Sequence, residues 1–275
     1  MKTSSSGTPY VAFIDSENGD RLSVIKNGGS GWEGLGVAGF ASVGGFSVSI
    51  ALDSAGTPSV AFDDVSVDNS GRLTVMKLAG TDWIIVGSPK FSQGEARFAS
   101  LVFDSNDVPY VGFVDDRSLQ FTTVMKLDGG QWTPVGSPGF SPGQAASTTL
   151  AIDRQGVPYI AFRNAGFPFG ASLMRFTANT WTSVGSFGFP SSVPFISMDL
   201  NSHGQPVVAF QDSSSQGRAT AVSFDGTRWA TIGKAAFSDG TSRYISLVVG
   251  SNDVPFVAYA DGNAGGKLTV MKYQE

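Results

Sequence analysis

The chain has 275 residues, a net charge of −5, no cysteine, and 35 glycines and 13 prolines against only 15% charged residues. Disulfide frameworks and thiolate metal sites are thereby excluded. A mildly acidic chain without grouped Lys and Arg is also a poor nucleic-acid binder, because neutralising phosphates needs clustered cations. Glycine and proline at this density disfavour long helices, no apolar run approaches the length of a membrane-spanning helix, and Met1–Ser6 lacks the apolar stretch of a signal peptide.

The first recognisable element is Pro9-Tyr10-Val11-Ala12-Phe13, an apolar run behind a proline. It returns at Pro58, Pro109, Pro158, Pro206 and Pro255, with successive prolines 49, 51, 49, 48 and 49 positions apart. Tryptophan keeps the same period at Trp32, Trp83, Trp132, Trp181 and Trp229, and a phenylalanine stands eight residues after each, at Phe40, Phe91, Phe140, Phe189 and Phe237. Three markers in one register define an internal repeat. Its units run approximately over 1–46, 47–97, 98–146, 147–194, 195–243 and 244–275.

Each unit reads as four strands. The first resembles Ser49–Asp53 or Thr149–Asp153. A short turn leads through the proline to the second, where Pro fits because the first residue of a strand need lose no ladder donor. A loop rich in Asp, Ser, Asn and Gly precedes the third, Leu73–Lys77 in one copy, and a tight turn such as Asp128-Gly129-Gly130 precedes the fourth, Trp132–Gly136. A linker such as Ser137–Gly143 crosses to the next unit. Short, evenly spaced strands repeated every 40 to 50 residues are the signature of propeller blades. One such sheet cannot bury both faces alone, whereas stacked sheets cover one another.

The expected fold is therefore an all-β, six-bladed β-propeller of four-stranded antiparallel blades, forming one domain over 1–275. Its terminal blades are incomplete: no inner strand is evident before Pro9, and no Trp strand after the last third strand. Residues 1–6 could serve as a makeshift strand. A piece of a longer array, five blades with a displaced hairpin, and an oligomer formed through unfilled terminal edges stay open.

The motif Gly80-Thr81-Asp82-Trp83-Ile84-Ile85-Val86-Gly87 resembles that of lectin-like β-propeller repeat proteins, and the rhythm is similar to that of the six-bladed fungal fucose-binding lectins. The resemblance implies a sugar site between adjacent blades built from an Arg, a Glu and aromatics. Only one glutamate, Glu95, stands in an interblade linker, so that site does not transfer residue by residue. The segment Ser223–Trp229 resembles a sialidase-type Asp box, one residue short.

Two periodic features are candidate ligand-binding residues. An acid or amide follows the second strand at Asp15, Asp64, Asp115, Asn164, Asp212 and Asp261. It reads either as an acidic ring for a cation or amine, or as a turn device whose side chain accepts backbone N–H groups. Arg21, Arg72, Arg218 and Lys267 stand where they could pair with four of these acids. The tryptophans Trp32, Trp83, Trp132, Trp181 and Trp229 read either as sugar-stacking platforms or as packing between blades.

No cofactor is expected. Calcium is considered at Asp15–Asp20 and around Asp63, Asp64, Asp68 and Asn69, neither of which has helix–loop–helix ligand spacing; the metal state stays open. His203 is the single histidine, and no strained nucleophile turn accompanies it. Paired-carboxylate chemistry stays open as well, because such pairs can assemble from distant blades. The fourth unit alone departs clearly, with Arg163, Phe167, Pro168 and Phe169 in its loop.

These residues favour a noncatalytic module that binds glycan or protein ligands, with no nucleic acid and no membrane span, at an extracellular or cell-surface location. A structural or assembly domain of a larger surface protein, and a hydrolase or lyase working at the channel mouth, are the alternatives.

Overall fold

The computed structural model describes residues 1–166, 170–185 and 192–274. The chain divides into two compact units, Met1–Ser141 and Pro142–Glu275, and each is described by itself.

In the first unit, Lys2–Thr3 pairs with Pro9–Asp15, which pairs with Arg21–Asn27, which pairs with Trp32–Gly34. The two-residue strand at the start supplies a partner for the Pro9 strand, one of the roles left open for residues 1–6. Ala41–Leu52 is a twelve-residue strand that touches Arg21–Leu22 at its beginning and pairs Pro58–Asp64 over its remainder. Arg72–Ala79 and Asp82–Ile85 complete that repeat. The long strand thus fuses two repeats into one eight-stranded sheet. The next repeat is a separate four-stranded sheet of Ala96–Phe103, Pro109–Asp115, Phe121–Asp128 and Gln131–Pro134.

The second unit holds two four-stranded sheets and one of three strands. They are Ala145–Ile152, Pro158–Asn164, Gly170–Thr177 and Thr180–Ser183; Ile196–Leu200, Pro206–Asp212, Arg218–Phe224 and Trp229–Thr231; and Ser242–Val249, Pro255–Asp261 and Lys267–Lys272. Every pairing is antiparallel, and the arrangement is a β-propeller of four-stranded blades.

Each described core cluster draws on two consecutive repeats. Leu22 and Val24 pack with Ile50, Val60 and Phe62; Leu73 and Val75 pack with Leu101, Val111 and Phe113. In the second unit Ala161 and Leu173 meet Val208 and Phe210, and Val207 and Ala221 meet Leu247 and Val257. The period-two strand sends Val60 to one neighbour and Ala61 to the other, which is why the second strand is apolar at nearly every position.

The Trp-x-x-Val-Gly motif is the clasp between repeats. The indole N–H of Trp83 donates to the Leu35 carbonyl at 3.0 Å, that of Trp132 to Val86 at 2.9 Å, and that of Trp229 to Val184 at 3.0 Å. Phe40 stacks on Trp83 and Phe91 on Trp132, with centroids 4.5 and 4.4 Å apart. The motif glycine closes the socket: at Gly87, with φ +69°, a Cβ would come within 2.8 Å of Leu127 and 2.9 Å of the Trp132 nitrogen. A side chain there would be strained in backbone and blocked in space. Phe189, which the period assigns to the same role, lies outside the described residues.

Candidate functional site

The loop acids sit at the ends of their second strands and bond mainly within their own hairpins, Asp115 also accepting from the Gly94 N–H and Asp64 also lying 3.9 Å from Lys90 Nζ. Asp15, Asp115 and Asp212 cap short 3-10 turns, each accepting the backbone N–H two residues on. Asp64 accepts from Ser66 N and Thr74 Oγ1, and Asp261 from Asn263 N. Asn164 Oδ1 accepts from Ser172 Oγ at 3.1 Å. Burial pushes the Asp115 carboxyl above its ordinary range, against the pull of its backbone donors.

The bases stand directly opposite these acids, as at Asp64–Arg72 and Asp212–Arg218. Their guanidinium groups nevertheless turn away: Arg72 Nε donates to the Ser92 carbonyl and Arg218 Nε to that of Ser238. Each arginine thereby secures the linker to the next repeat. Among the described residues no three His, Asp or Glu side chains converge as a metal site. Oxygens considered for calcium have other partners: Asp63 binds Phe46 and Ser47 N–H groups, and Asp68 pairs with Lys90. Phe167, Pro168 and Phe169 lie outside the described residues.

Of the tryptophans, Trp83, Trp132 and Trp181 are buried and Trp229 half-buried, whereas Trp32 keeps 52% of its surface exposed.

The histidine belongs to an interblade staple. Ser202 Oγ donates to Asp253 Oδ2 at 2.6 Å and Ser202 N to Oδ1 at 2.6 Å, while His203 Nδ1 stands 3.6 Å from Asp253. Ser54 and Asp107 make the same pair of bonds in the first unit, where no histidine is present. The serine proton goes to the carboxylate rather than to an imidazole, so this is not the relay of a nucleophilic triad.

A different cluster gathers exposed aromatic and charged groups. The first strand of several repeats is bulged, with register breaks between Val43 and Val48, opposite Gly112–Val114, between Ala146 and Thr148, and between Arg243 and Ser246. At the bulges Phe98, Ser147 and Tyr244 take φ of +55°, +55° and +54°. A bulge re-aims side chains out of the sheet, leaving Phe46 52%, Phe98 40% and Tyr244 74% exposed.

In the first unit this produces a built site. Asp63, fully buried, accepts from Phe46 N at 3.0 Å and Ser47 N at 3.2 Å, fixing the bulge. Gly44 permits this, since a Cβ there would lie 2.5 Å from the Asp63 carboxylate. Ser47 Oγ donates to the Ala96 carbonyl at 3.0 Å, tying the bulge to the next repeat. The Phe46 ring lies over the Arg97 guanidinium, 4.7 Å from its centroid. Arg97 Nε donates to Glu95 Oε1 at 2.7 Å. Burial raises the Asp63 pKa, with a smaller push from the Glu95 charge.

Glu95, the solitary linker glutamate, is thus placed beside an Arg whose guanidinium is covered by the exposed ring of Phe46. Phe46, Arg97 and Phe98 were not singled out by the period, because the bulge that lifts them is absent from the strand alternation. The available signal was a repeated pair, Arg97-Phe98 and Arg243-Tyr244. In the second unit Tyr244 lies 5.1 Å from Phe195.

No family model and no curated protein matches the chain. Solved structures are similar to it in fold. SapL1 lectin in complex with α-methyl fucoside superposes with a TM-score of 0.59 at 14% identity, covering 97% of this chain and 92% of that one. The Aleuria aurantia lectin in complex with Fucα1-6GlcNAc gives 0.56 at 17% identity, over 84% and 79%. The α-L-arabinofuranosidase Arb93A from Fusarium graminearum, in complex with an iminosugar inhibitor, gives 0.61 at 13% identity, over 98% and 90%. Among the described residues no helix is long and apolar enough to cross a membrane.

Proposed function

We propose that this chain is a noncatalytic, six-bladed glycan-binding module acting outside the cell or at its surface, and that Phe46, Arg97, Glu95 and Phe98 form one of its sugar sites. The carrying observation is the Phe46–Arg97–Glu95 stack, half in solvent and held by a buried carboxylate. An exposed ring face suits the apolar face of a pyranose. Arg97 supplies donors in a fixed fork and Glu95 supplies acceptors, which together match neighbouring hydroxyls. The second pair, Arg243-Tyr244, supports a repeated and multivalent mode, in which weak sites add through linkage. Half-exposed Trp32 offers a further stacking face.

The similar folds include a glycoside hydrolase, which raises hydrolysis as a second reading. The carboxyls present at this site are Asp63 and Glu95. Asp63 is completely enclosed and bonded to backbone N–H groups, so it can hold the loop but cannot touch a glycosidic oxygen. Binding without cleavage is therefore the favoured reading. A glycan array probed with the wild-type chain and with Arg97→Ala tests it: the proposal expects a defined set of saccharides whose signal falls at least tenfold in the variant. Silence across a broad array, or signals indifferent to Arg97, would overturn it, and release of reducing sugar from a bound glycan would favour the hydrolase.

A further inference from the structure

The bulge of Ser242–Val249 in the second unit is built like the one that carries Arg97 in the first, with one exchange. Thr241-Ser242-Arg243-Tyr244 stands 146 positions after Glu95-Ala96-Arg97-Phe98. The backbone bonds coincide: Ser242 N–H donates to the Gly217 carbonyl and Gly262 N–H to that of Thr241, as Ala96 donates to Gly71 and Asp116 to Glu95. The ladders coincide as well, Arg243 facing Ala260 where Arg97 faces Val114. Thr241 therefore holds the place of Glu95.

That exchange removes the counter-charge of the guanidinium. Arg97 Nε donates to Glu95 Oε1 at 2.7 Å, whereas Arg243 is exposed and makes no ion pair among the described residues. Thr241 Oγ1 donates to the Gln216 carbonyl at 3.3 Å. The acid on the facing strand, Asp261, is in register with Ser242, is buried, and accepts the Asn263 N–H. Beside Arg243 in sequence stands Tyr244, 74% exposed, with its ring centroid 5.1 Å from that of Phe195. Its backbone is left-handed, at φ +54°. That conformation is unfavourable for an aromatic residue, and the ring it turns outward recovers little burial.

We propose that this second bulge takes an acidic saccharide, one bearing a carboxylate or a sulfate ester, where the first takes a neutral one. The inference rests on the glycan-binding reading and gives it a ligand class. The sugar ring would lie against Tyr244 and Phe195, and its anionic group against Arg243, whose planar fork matches two oxygens of one anion. In the first unit Glu95 already occupies part of the Arg97 fork, and its charge repels a second anion. With threonine in that place the contact is cationic, and the fork is open to the ligand.

The test is a glycan array of matched neutral, uronate-bearing and sulfated saccharides, probed with the wild-type chain, Arg243→Ala and Thr241→Glu. Acidic saccharides are expected among those bound, with signals that fall at least tenfold in both variants and weaken as ionic strength rises. Neutral saccharides, which depend on Arg97, should keep their signals in both. Thr241→Glu installs the residue that the first unit carries at the same place, so it tests the charge without emptying the site. The uronate and sulfate arms identify which anion is read. Binding confined to neutral saccharides, or acidic signals indifferent to both substitutions, would overturn this inference and leave the Arg97 site standing. Silence across the whole array would overturn both.

Discussion

Trp132 donates its indole N–H to the carbonyl of Val86 at 2.9 Å, across 46 residues of chain. The bond crosses from one repeat to the one before it, and Gly87, the next residue, lies against the same indole. The motif reads along the chain as one unit but acts between two: its Trp grips the preceding repeat, and its Val-Gly is gripped by the Trp of the succeeding one. Trp132→Phe keeps the stack on Phe91 and strands one carbonyl, so a loss of about 1 kcal/mol is expected. Trp132→Ala leaves a cavity as well and should cost about 3–5 kcal/mol. Gly87→Ala should cost more than the roughly 1–2 kcal/mol of left-handed backbone alone, because the new methyl meets Leu127. Urea unfolding of the three variants checks the order.

Phe46 and Trp132 should separate binding from stability. Phe46 is half in solvent and spans the Arg97 guanidinium; a surface change of this kind moves stability by about 0.5 kcal/mol or less. Phe46→Ala is therefore expected to abolish most glycan binding while its urea midpoint stays near wild type. Trp132→Phe is expected to do the reverse. Loss of both properties in Phe46→Ala would mean that the ring is packing rather than platform.

Asp63 should leave a mark on the pH dependence of stability. Burial raises its folded pKa, so the folded state holds this proton more tightly than the unfolded chain does. The associated stability is fully present below the unfolded value of about 4 and is lost as pH rises through the folded pKa. Asp63→Asn removes that loss. On going from pH 4 to pH 7 the melting temperature of Asp63→Asn should therefore gain on that of the wild type. A constant difference across this range would contradict the assignment.

Asp253 carries the opposite sign. Hydrogen bonds from Ser202 hold its carboxyl below the usual range, so its contribution is present above pH about 4 and fades as pH falls through the folded value. Asp253→Asn should melt lower than wild type at pH 7, with the gap closing in acid. His203→Ala should melt with the wild type at pH 7, because the staple recurs at Ser54–Asp107 without a histidine. A large loss in His203→Ala would assign the imidazole a structural role.

The repeat, its strands and its clasp residues were legible in the sequence because they obey a period: every copy must bury the same faces against the same neighbours. Pro58, Trp83 and Phe91 announce the same element as Pro109, Trp132 and Phe140. What the period could not separate was the purpose of each side chain. Asp212 in the sequence is equally a ligand and a cap; only its bonds to Ser214 and Ser215 show where its oxygens are engaged. Arg72 is in register with Asp64, yet its side chain length lets it reach Ser92 instead.

Sequence by itself determined the architecture, since hydrophobic alternation, turn residues and a constant spacing within one chain leave a strand few other places to go. Tertiary structure alone decided which side chains meet. Phe46, Arg97 and Glu95 meet because β-bulges break the alternation and turn side chains outward. That contact arises where the repeat is interrupted, and an interruption has meaning only once its neighbours are in place.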